Sequence, residues 1–261
     1  MSSSNELAKR LQNRRWMRFC DPFPYVYATD VLSRKTYERV EAAFGEVLSR
    51  GLSDVPDGAR LSRSMKGYDA YGCTISRESP EGLQFFISRD WHDLLAAVGG
   101  VRSAGYVSAG MHHHLVGSED GFVHNDLNPA YFVDYPTDDG ITLLRHDLCD
   151  HKTGRTYVSG VKPRELVRSV AMLFYLANGE WHDGDGGCTG LYRKVTDPVG
   201  QPAAQVPPLD NSILIFECSP FSFHGFLSNR RTPRNSVIMW LHQEKPAALK
   251  KWGKNSIERW S

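Results

Sequence analysis

Cysteine is sparse in this chain of 261 residues, no apolar stretch is long, and neither sign of charge prevails. Five cysteines (Cys20, Cys73, Cys149, Cys188 and Cys218) stand apart with no C-x-x-C pair. An odd, scattered set rules against a disulfide framework and reads as free thiols in a reducing compartment, so cytoplasm is the expected location. No run approaches the roughly 20 apolar residues that span a bilayer, and the N-terminus has no signal-peptide core. Lys plus Arg number 31 against 30 for Asp plus Glu, a formal charge of +1. That balance gives no electrostatic case for nucleic acid or an anionic membrane as partner. No G-x-S-x-G elbow is present. Gly186-Gly187 is followed by neither a P-loop lysine nor a helix, which leaves a tight turn between strands. Monomer and homodimer both stay open.

What is present has the composition of an ordinary soluble protein, 41% hydrophobic and 23% charged. Periodicity divides it. Residues 1–104 read as helix-rich support. A first helix carries Leu7 and Leu11 inward with its arginines solvated, and "PFPYVYATDVL" contains a short strand. Ser33 offers an N-cap to a helix with Tyr37, Val40, Phe44, Val47 and Leu48 on one face. A second helical region opens at Ser79-Pro80 and ends at Gly99-Gly100, with Leu83, Phe86, Leu94, Leu95 and Val98 as its stripe. From Gly105 the pattern changes to short β-branched and aromatic runs, "YVSAGMHHHLV", "RSVAMLFYLAN", "NSILIFE" and "NSVIMWLH". The expectation is one domain over 1–261, mainly β with flanking helices (α+β). Its strand core spans 105–243, an irregular insertion covers 127–168 with a hairpin around Lys152-Thr153-Gly154, and a tail follows at 244–261.

Three residues split across that core carry the chemistry. His124 and Asp126 stand in "VHND" and His224 in "FSFHGF". Two imidazoles and one carboxylate can hold ferrous iron on one face and leave the other face open. Residues two apart on a strand point the same way, so His124 and Asp126 can both aim inward. Ten residues beyond His224 comes Arg234, with Ser236 next on the same strand face. A guanidinium fork with a hydroxyl beside it suits the far carboxylate of a keto-acid cosubstrate. Two rival sets exist. His112 and His114 with Glu119 approach the metal motif of cupins; otherwise these two histidines share a strand face as pocket lining and His113 faces away. His146, Asp147, Cys149 and His151 could suggest zinc, but no second ligand pair stands at structural spacing, so solvated hairpin residues are the better reading.

The order of motifs resembles the prolyl-4-hydroxylase-like branch of the iron/2-oxoglutarate dioxygenases. "HND" resembles the family's H-x-D. "LFYLANGEWHDGDGGCTGLY" resembles its Y-L-N strand, tryptophan and G-G-x-T-x-L stretch, and "PLDNSILIFE" the strand ahead of the distal histidine. "FHGFLSNRRTPRNSVIMWLH" resembles the distal-histidine strand with R-x-S and a tryptophan-containing strand. The resemblance covers roughly residues 105 to 243. It implies a double-stranded β-helix (jelly roll, cupin-like), with iron(II), 2-oxoglutarate and O2 as cofactors and cosubstrates and ascorbate as a supporting reductant. It also implies His124, Asp126 and His224 as metal ligands and catalytic centre, with Arg234, Ser236 and Thr189 on the cosubstrate; His114, as pocket lining, is a further candidate for contact with cosubstrate or substrate. Related halogenases replace the acidic ligand by a small residue, so Asp126 implies hydroxylation. About forty residues separate H-x-D from the Y-L-N strand where the family has a short link. That insertion supplies candidates for substrate contact: Asn128, Tyr131, His146 and Tyr157, together with His112. A small polar molecule such as an amino acid or natural-product intermediate is the expected substrate; a proline-containing peptide is the alternative. A cupin-like domain that binds a ligand without oxidising it is the alternative of another class.

Overall fold

The apolar runs become the middle of one sheet. In a computed structural model, which describes residues 3–63 and 68–257, strand Arg234–Glu244 lies antiparallel between Arg164–Tyr175 and Tyr106–His114. Ser212–Glu217 pairs with the far edge of Arg164–Tyr175, and Tyr25–Ala28 pairs with Ser212–Glu217. Among the described residues this sheet has 11 strands. A second sheet of three places Thr189–Tyr192 between Ala204–Val206 and Phe223–Phe226.

Side-chain alternation explains why these strands read as unbroken apolar runs. Val170, Met172 and Phe174 face a core shared with the helices. Their neighbours Ala171, Leu173 and Tyr175 face a second core, shared with Leu191 and Val206 of the small sheet. A strand buried on both faces has no polar side to show. The architecture is a mostly β double-stranded β-helix with helices on one side.

Helix Arg34–Ser49 buries Val40, Ala43, Phe44 and Val47. The expected second helix divides in two. Glu81–Gln84 and the 3-10 turn Phe85–Ile87 stop at Ser88, whose backbone is extended and whose side chain caps the amide of Trp91 in helix Arg89–Gly99. A serine that accepts from the new first turn starts a helix more readily than it continues one. Gly100 closes this helix in the left-handed conformation.

The insertion is stitched to the sheet. Its ends pair with each other, Pro129–Phe132 against Arg164–Val167, and Thr142–Leu143 runs parallel to Tyr106–Val107. The expected hairpin shrinks to an isolated bridge between Cys149 and Thr156. The turn between them is held by Asp150, whose amide donates to the Arg155 carbonyl and whose carbonyl accepts from Gly154. The expected tail begins as helix Lys245–Trp252, with Pro246 in its first turn and Ala248 buried against the inter-sheet core. Residues 258–261 lie outside the described residues. Among the described residues no helix is long and apolar enough to cross a membrane.

His242 is wholly buried, with its Nδ1–H donating to the Tyr106 carbonyl at 3.1 Å. Burial first, then the Arg168 charge, pulls its pKa down to about 3. The unfolded chain therefore binds a proton near pH 6.5 that the folded chain refuses, and stability must fall as pH drops from about 6.5 towards 4. Denaturant titrations of wild type and His242→Gln across that window should differ in slope by about one proton, roughly 1.4 kcal/mol per pH unit. Equal slopes would remove His242 as a source of acid sensitivity.

Candidate active site

The H-x-D segment does not lie on a continuous strand. His124 instead forms an isolated antiparallel bridge with His224. The two exchange both backbone hydrogen bonds, His124 N–H to the His224 carbonyl at 3.0 Å and the reverse at 2.8 Å. Directly opposed residues place their side chains together, and the ring centroids stand 4.4 Å apart. Beyond His124 the chain turns sharply. Asn125 Oδ1 accepts from the Leu127 amide at 2.9 Å, and the Asp126 carbonyl accepts from the Asn128 amide at 2.8 Å. This Asx-type turn sends Asp126 back beside the imidazoles.

Each histidine has its inner nitrogen committed. His124 Nδ1–H donates to the Phe122 carbonyl at 2.9 Å and His224 Nδ1–H to the Ser222 carbonyl at 3.1 Å. A carbonyl can only accept, so Nδ1 carries a proton in each ring and Nε2 is the atom left to face the site. His224 Nε2 lies 3.4 Å from Asp126 Oδ2. Ligand atoms of His124, Asp126 and His224 all fall within 4.8 Å of one another. Neighbouring ligands about 2.1 Å from one octahedral ion would sit about 3 Å apart, so the set fits a single divalent cation. Among the described residues it is the one cluster of this kind. Glu119, which the cupin rival requires, is exposed.

Asp126 is 5% exposed, and a buried carboxylate needs partners. Arg168 Nη1 donates to Oδ1 at 2.6 Å and Trp240 Nε1 to Oδ2 at 2.7 Å. Burial raises the carboxyl's pKa, but the Arg168 guanidinium and the two histidines outweigh it and hold the group well below the usual carboxylate range. His124 is pulled down to about 4, by burial first and then by His224. The donor set is thus one anion and one imidazole kept neutral at physiological pH, beside His224.

Arg168 was not legible as a site residue. It is out of phase with Ala171, Leu173 and Tyr175 and by simple alternation would face away. Pairing with Arg234–Glu244 skips Ser169, with Leu241 opposite Val170 and His242 opposite Arg168. Such a bulge re-aims the side chain beyond it. The guanidinium lies 3.7 Å from the Trp240 ring centroid. A lone arginine opening an apolar strand was the available signal.

Arg234, only 2% exposed, reaches both sheets. Nη1 donates to Ser236 Oγ and Nη2 to Thr189 Oγ1, each at 3.2 Å, and Tyr175 shares a 2.7 Å hydrogen bond with Thr189. Arg234 Nε is buried with no partner. A buried guanidinium with an unfilled donor and no carboxylate hydrogen-bonded to it suits an acidic ligand. Gly186 lets the adjoining loop approach. Its φ is +79°, and a Cβ there would stand 2.1 Å from the Ser228 carbonyl oxygen.

His112 and His114 share the face of Ser236 and Arg234, their register partners, while His113 turns away to Asn235 Oδ1 at 2.6 Å. His112 is held down to about 3 by burial and then Arg234. Tyr68, absent from the expected set, stands edge-on to His114 at 5.4 Å and 6.3 Å from the rings of His112 and Phe122. Its neighbourhood forms only in three dimensions.

The insertion residues divide. Asn128 is buried, and its backbone ties Asp126 to Arg168, accepting from the Arg168 amide at 3.0 Å. Tyr131 packs on the Gly154 turn, where an added Cβ would meet its ring at 2.6 Å. His146 is exposed and touches His151 edge-on at 4.9 Å. Tyr157 is 57% exposed. The structure thus brings Asn128 to the ligand loop and leaves His146 and Tyr157 on the outer part of the insertion.

Comparison with known proteins fits this geometry. Residues 132–242, which carry His224, Arg234 and Ser236, match the model of the 2OG-Fe(II) oxygenase superfamily. This segment of the chain is similar to the 2OG-Fe(II) oxygenase superfamily. The match begins after Asp126, so His124 and Asp126 enter by geometry. No curated protein matches the sequence. Similar solved structures include a Pseudomonas putida prolyl-4-hydroxylase, 14% identical with a TM-score of 0.52 over 84% of this chain and 92% of that one. A viral collagen prolyl hydroxylase from Paramecium Bursaria Chlorella virus-1, in a 2OG complex, is 12% identical with a TM-score of 0.51 over 85% and 98%. A prolyl hydroxylase from Trichoplax adhaerens, in complex with a hypoxia inducible factor peptide fragment, is 15% identical with a TM-score of 0.54 over 86% of both. At such identity these show a shared fold. Oxygenases of this superfamily use Fe(II), 2-oxoglutarate and O2, and the donor set and the buried Arg234 of this chain fit those groups.

Removing the indole donor leaves the Asp126 oxygen nearest His224 short of a partner. Trp240→Phe should weaken Fe(II) binding about 10–100-fold, the usual cost of losing a group that orients a ligand. Competition against a metallochromic chelator under anaerobic conditions measures it; unchanged affinity would mean Trp240 does not support Asp126.

Proposed function

We propose that this oxygenase hydroxylates an unactivated C–H bond of a small polar substrate, with His124, Asp126 and His224 holding iron. The observation that carries the reading is the pairing of that converged donor set with the buried, partly unfilled Arg234. When bound, Fe(II) and 2-oxoglutarate supply the oxidation: O2 places one oxygen in the C–H bond and the other in succinate, with release of CO2. Each protein group has a separate task. Phe122 and Ser222 carbonyls hold Nδ1 of His124 and His224, so Nε2 is the ring atom each turns to the metal position. Arg168 and Trp240 keep Asp126 ionised and immobile. An ionised carboxylate at that position leaves no gap for a halide, which supports hydroxylation over halogenation. Arg234, braced by Ser236 and Thr189, receives the distal carboxylate and so sets how the keto acid reaches the metal. Burial of these groups excludes bulk water, which strengthens each charge–charge contact.

The stitched insertion beside Asp126 supports a small substrate, since a wall tied into the sheet bounds the site on one side. Asn128 and Tyr131 are the contacts we favour there, with His112 from the opposite wall; His146 and Tyr157 serve only if the outer part of the insertion closes. The peptide held by the Trichoplax protein favours a second reading, a proline-containing peptide. Free thiols at all five cysteines agree with a cytoplasmic site of action.

Anaerobic addition of Fe(II) and 2-oxoglutarate should produce a visible metal-to-ligand charge-transfer band, lost in Asp126→Gly. Succinate release across free amino acids, their derivatives and proline-containing peptides then separates the substrates. Stimulation by peptides alone would refute the small-molecule reading, and a colourless protein would refute the oxygenase chemistry. Arg234→Met should raise the KM for 2-oxoglutarate on the order of 100-fold, as expected when a buried carboxylate loses its charged partner.

A further inference from the structure

His114 presents a hydrogen-bonding problem that the protein alone does not solve. The residue is wholly buried, and its Nδ1 lies 2.9 Å from the Asp69 carbonyl oxygen. That oxygen can only accept, so Nδ1 carries the proton, and in the neutral ring Nε2 is a bare lone pair. Nε2 is also buried, with no partner among the described residues. The ring is clamped, stacked on Phe226 at 3.8 Å and met edge-on by Tyr68. Its register partner across the sheet is Arg234, whose Nε is likewise buried and unfilled.

We infer that His114 is a second anchor for the distal carboxylate, and that entry of 2-oxoglutarate loads one proton onto its Nε2. The inference rests on the oxygenase reading and adds a proton to it. A fully ionised dicarboxylate has only acceptors to offer. Set beside the bare Nε2, it would leave two lone pairs facing each other in a dry pocket, each without a donor. A proton from solvent turns that clash into a charge-assisted hydrogen bond, and no bond of the ligand breaks.

The groups around the ring favour this order of events. His112 shares its strand, Arg234 faces it from the neighbouring strand, and His113 lies on the reverse face. From the segment before Tyr71 come Tyr68 and Asp69, whose carboxylate is committed to Arg63 at 2.8 Å. Phe226, from the small sheet, is uncharged. Without ligand, burial and then Arg234 hold His114 well below its ordinary pKa, so the empty site keeps it neutral. The ligand's carboxylate reverses the sign of the local field. The bound-state pKa therefore rises, and binding is tighter at lower pH.

Calorimetry on the full chain loaded with Mn(II), in two buffers of different protonation heat, counts the protons directly. With the metal already bound, the iron ligands contribute none. Near pH 6.5, 2-oxoglutarate should bind with uptake approaching one proton, and its Kd should rise with pH by up to about tenfold per unit. 2-Oxobutyrate, which has no distal carboxylate, should bind without uptake. His114→Gln, a neutral donor of similar reach, should keep 2-oxoglutarate binding and lose both the uptake and the pH dependence. Uptake that persists in His114→Gln, or equals that with 2-oxobutyrate, overturns the inference. Binding of 2-oxoglutarate by wild type with no uptake also overturns it and leaves the oxygenase reading standing. No binding at all overturns both.

Discussion

A single buried carboxylate governs the centre of this protein. Asp126 must stay ionised to serve a metal, yet its surroundings penalise charge, and Arg168, Trp240 and the two imidazoles must together offset that penalty. Each partner comes from a different part of the fold. Arg168 arrives through a bulge in one central strand, Trp240 from the next, and His224 from the small sheet. Disturbing any of these strands would expose or unpair the same charge. The candidate metal site and the sheet are therefore one structure in energetic terms.

Arg234 joins the two sheets in a similar way. It starts a central strand of the large sheet and hydrogen-bonds Thr189 of the small one. Its register partner on the neighbouring strand, His114, also carries a buried ring nitrogen with no partner among the described residues. Polar groups that a protein buries without partners are costly, and they mark where a ligand completes the bonding. Two such groups on paired strand positions mark where, on our inference, an anion and a proton would complete the bonding. The insertion, tied down at both ends, frames the opposite side of Asp126 and leaves its outer turn exposed.

Much of this was legible before any coordinates. Short β-branched and aromatic runs identified the strands, although burial on both faces emerged only from the structure, and alternation within H-H-H separated His113 from its neighbours. The two-His-one-Asp set and the R-x-S pair carried the metal and anchor readings because their chemistry is unusual and their order specific. Local patterns were weaker where one residue could serve two purposes. Ser88 sits inside a continuous helical stripe, yet its hydroxyl starts a new helix. His124 and Asp126 suggested a strand, whereas a single bridge and an Asx turn bring them together. The insertion's exposed polar residues resembled contacts because composition does not reveal which face of a loop meets solvent.

Sequence alone determined the inventory: which groups can ligate, which can anchor an acid, and which stretches must be buried. Those follow from side-chain chemistry and short-range periodicity, which are properties of the chain itself. Only the tertiary structure decided that Arg168 rather than another cation neutralises Asp126, that Trp240 donates to it, and that Tyr68 and Phe226 clamp His114. These depend on a one-residue bulge and on strands far apart in the chain becoming neighbours, and a shift of one position would send each side chain to the other face.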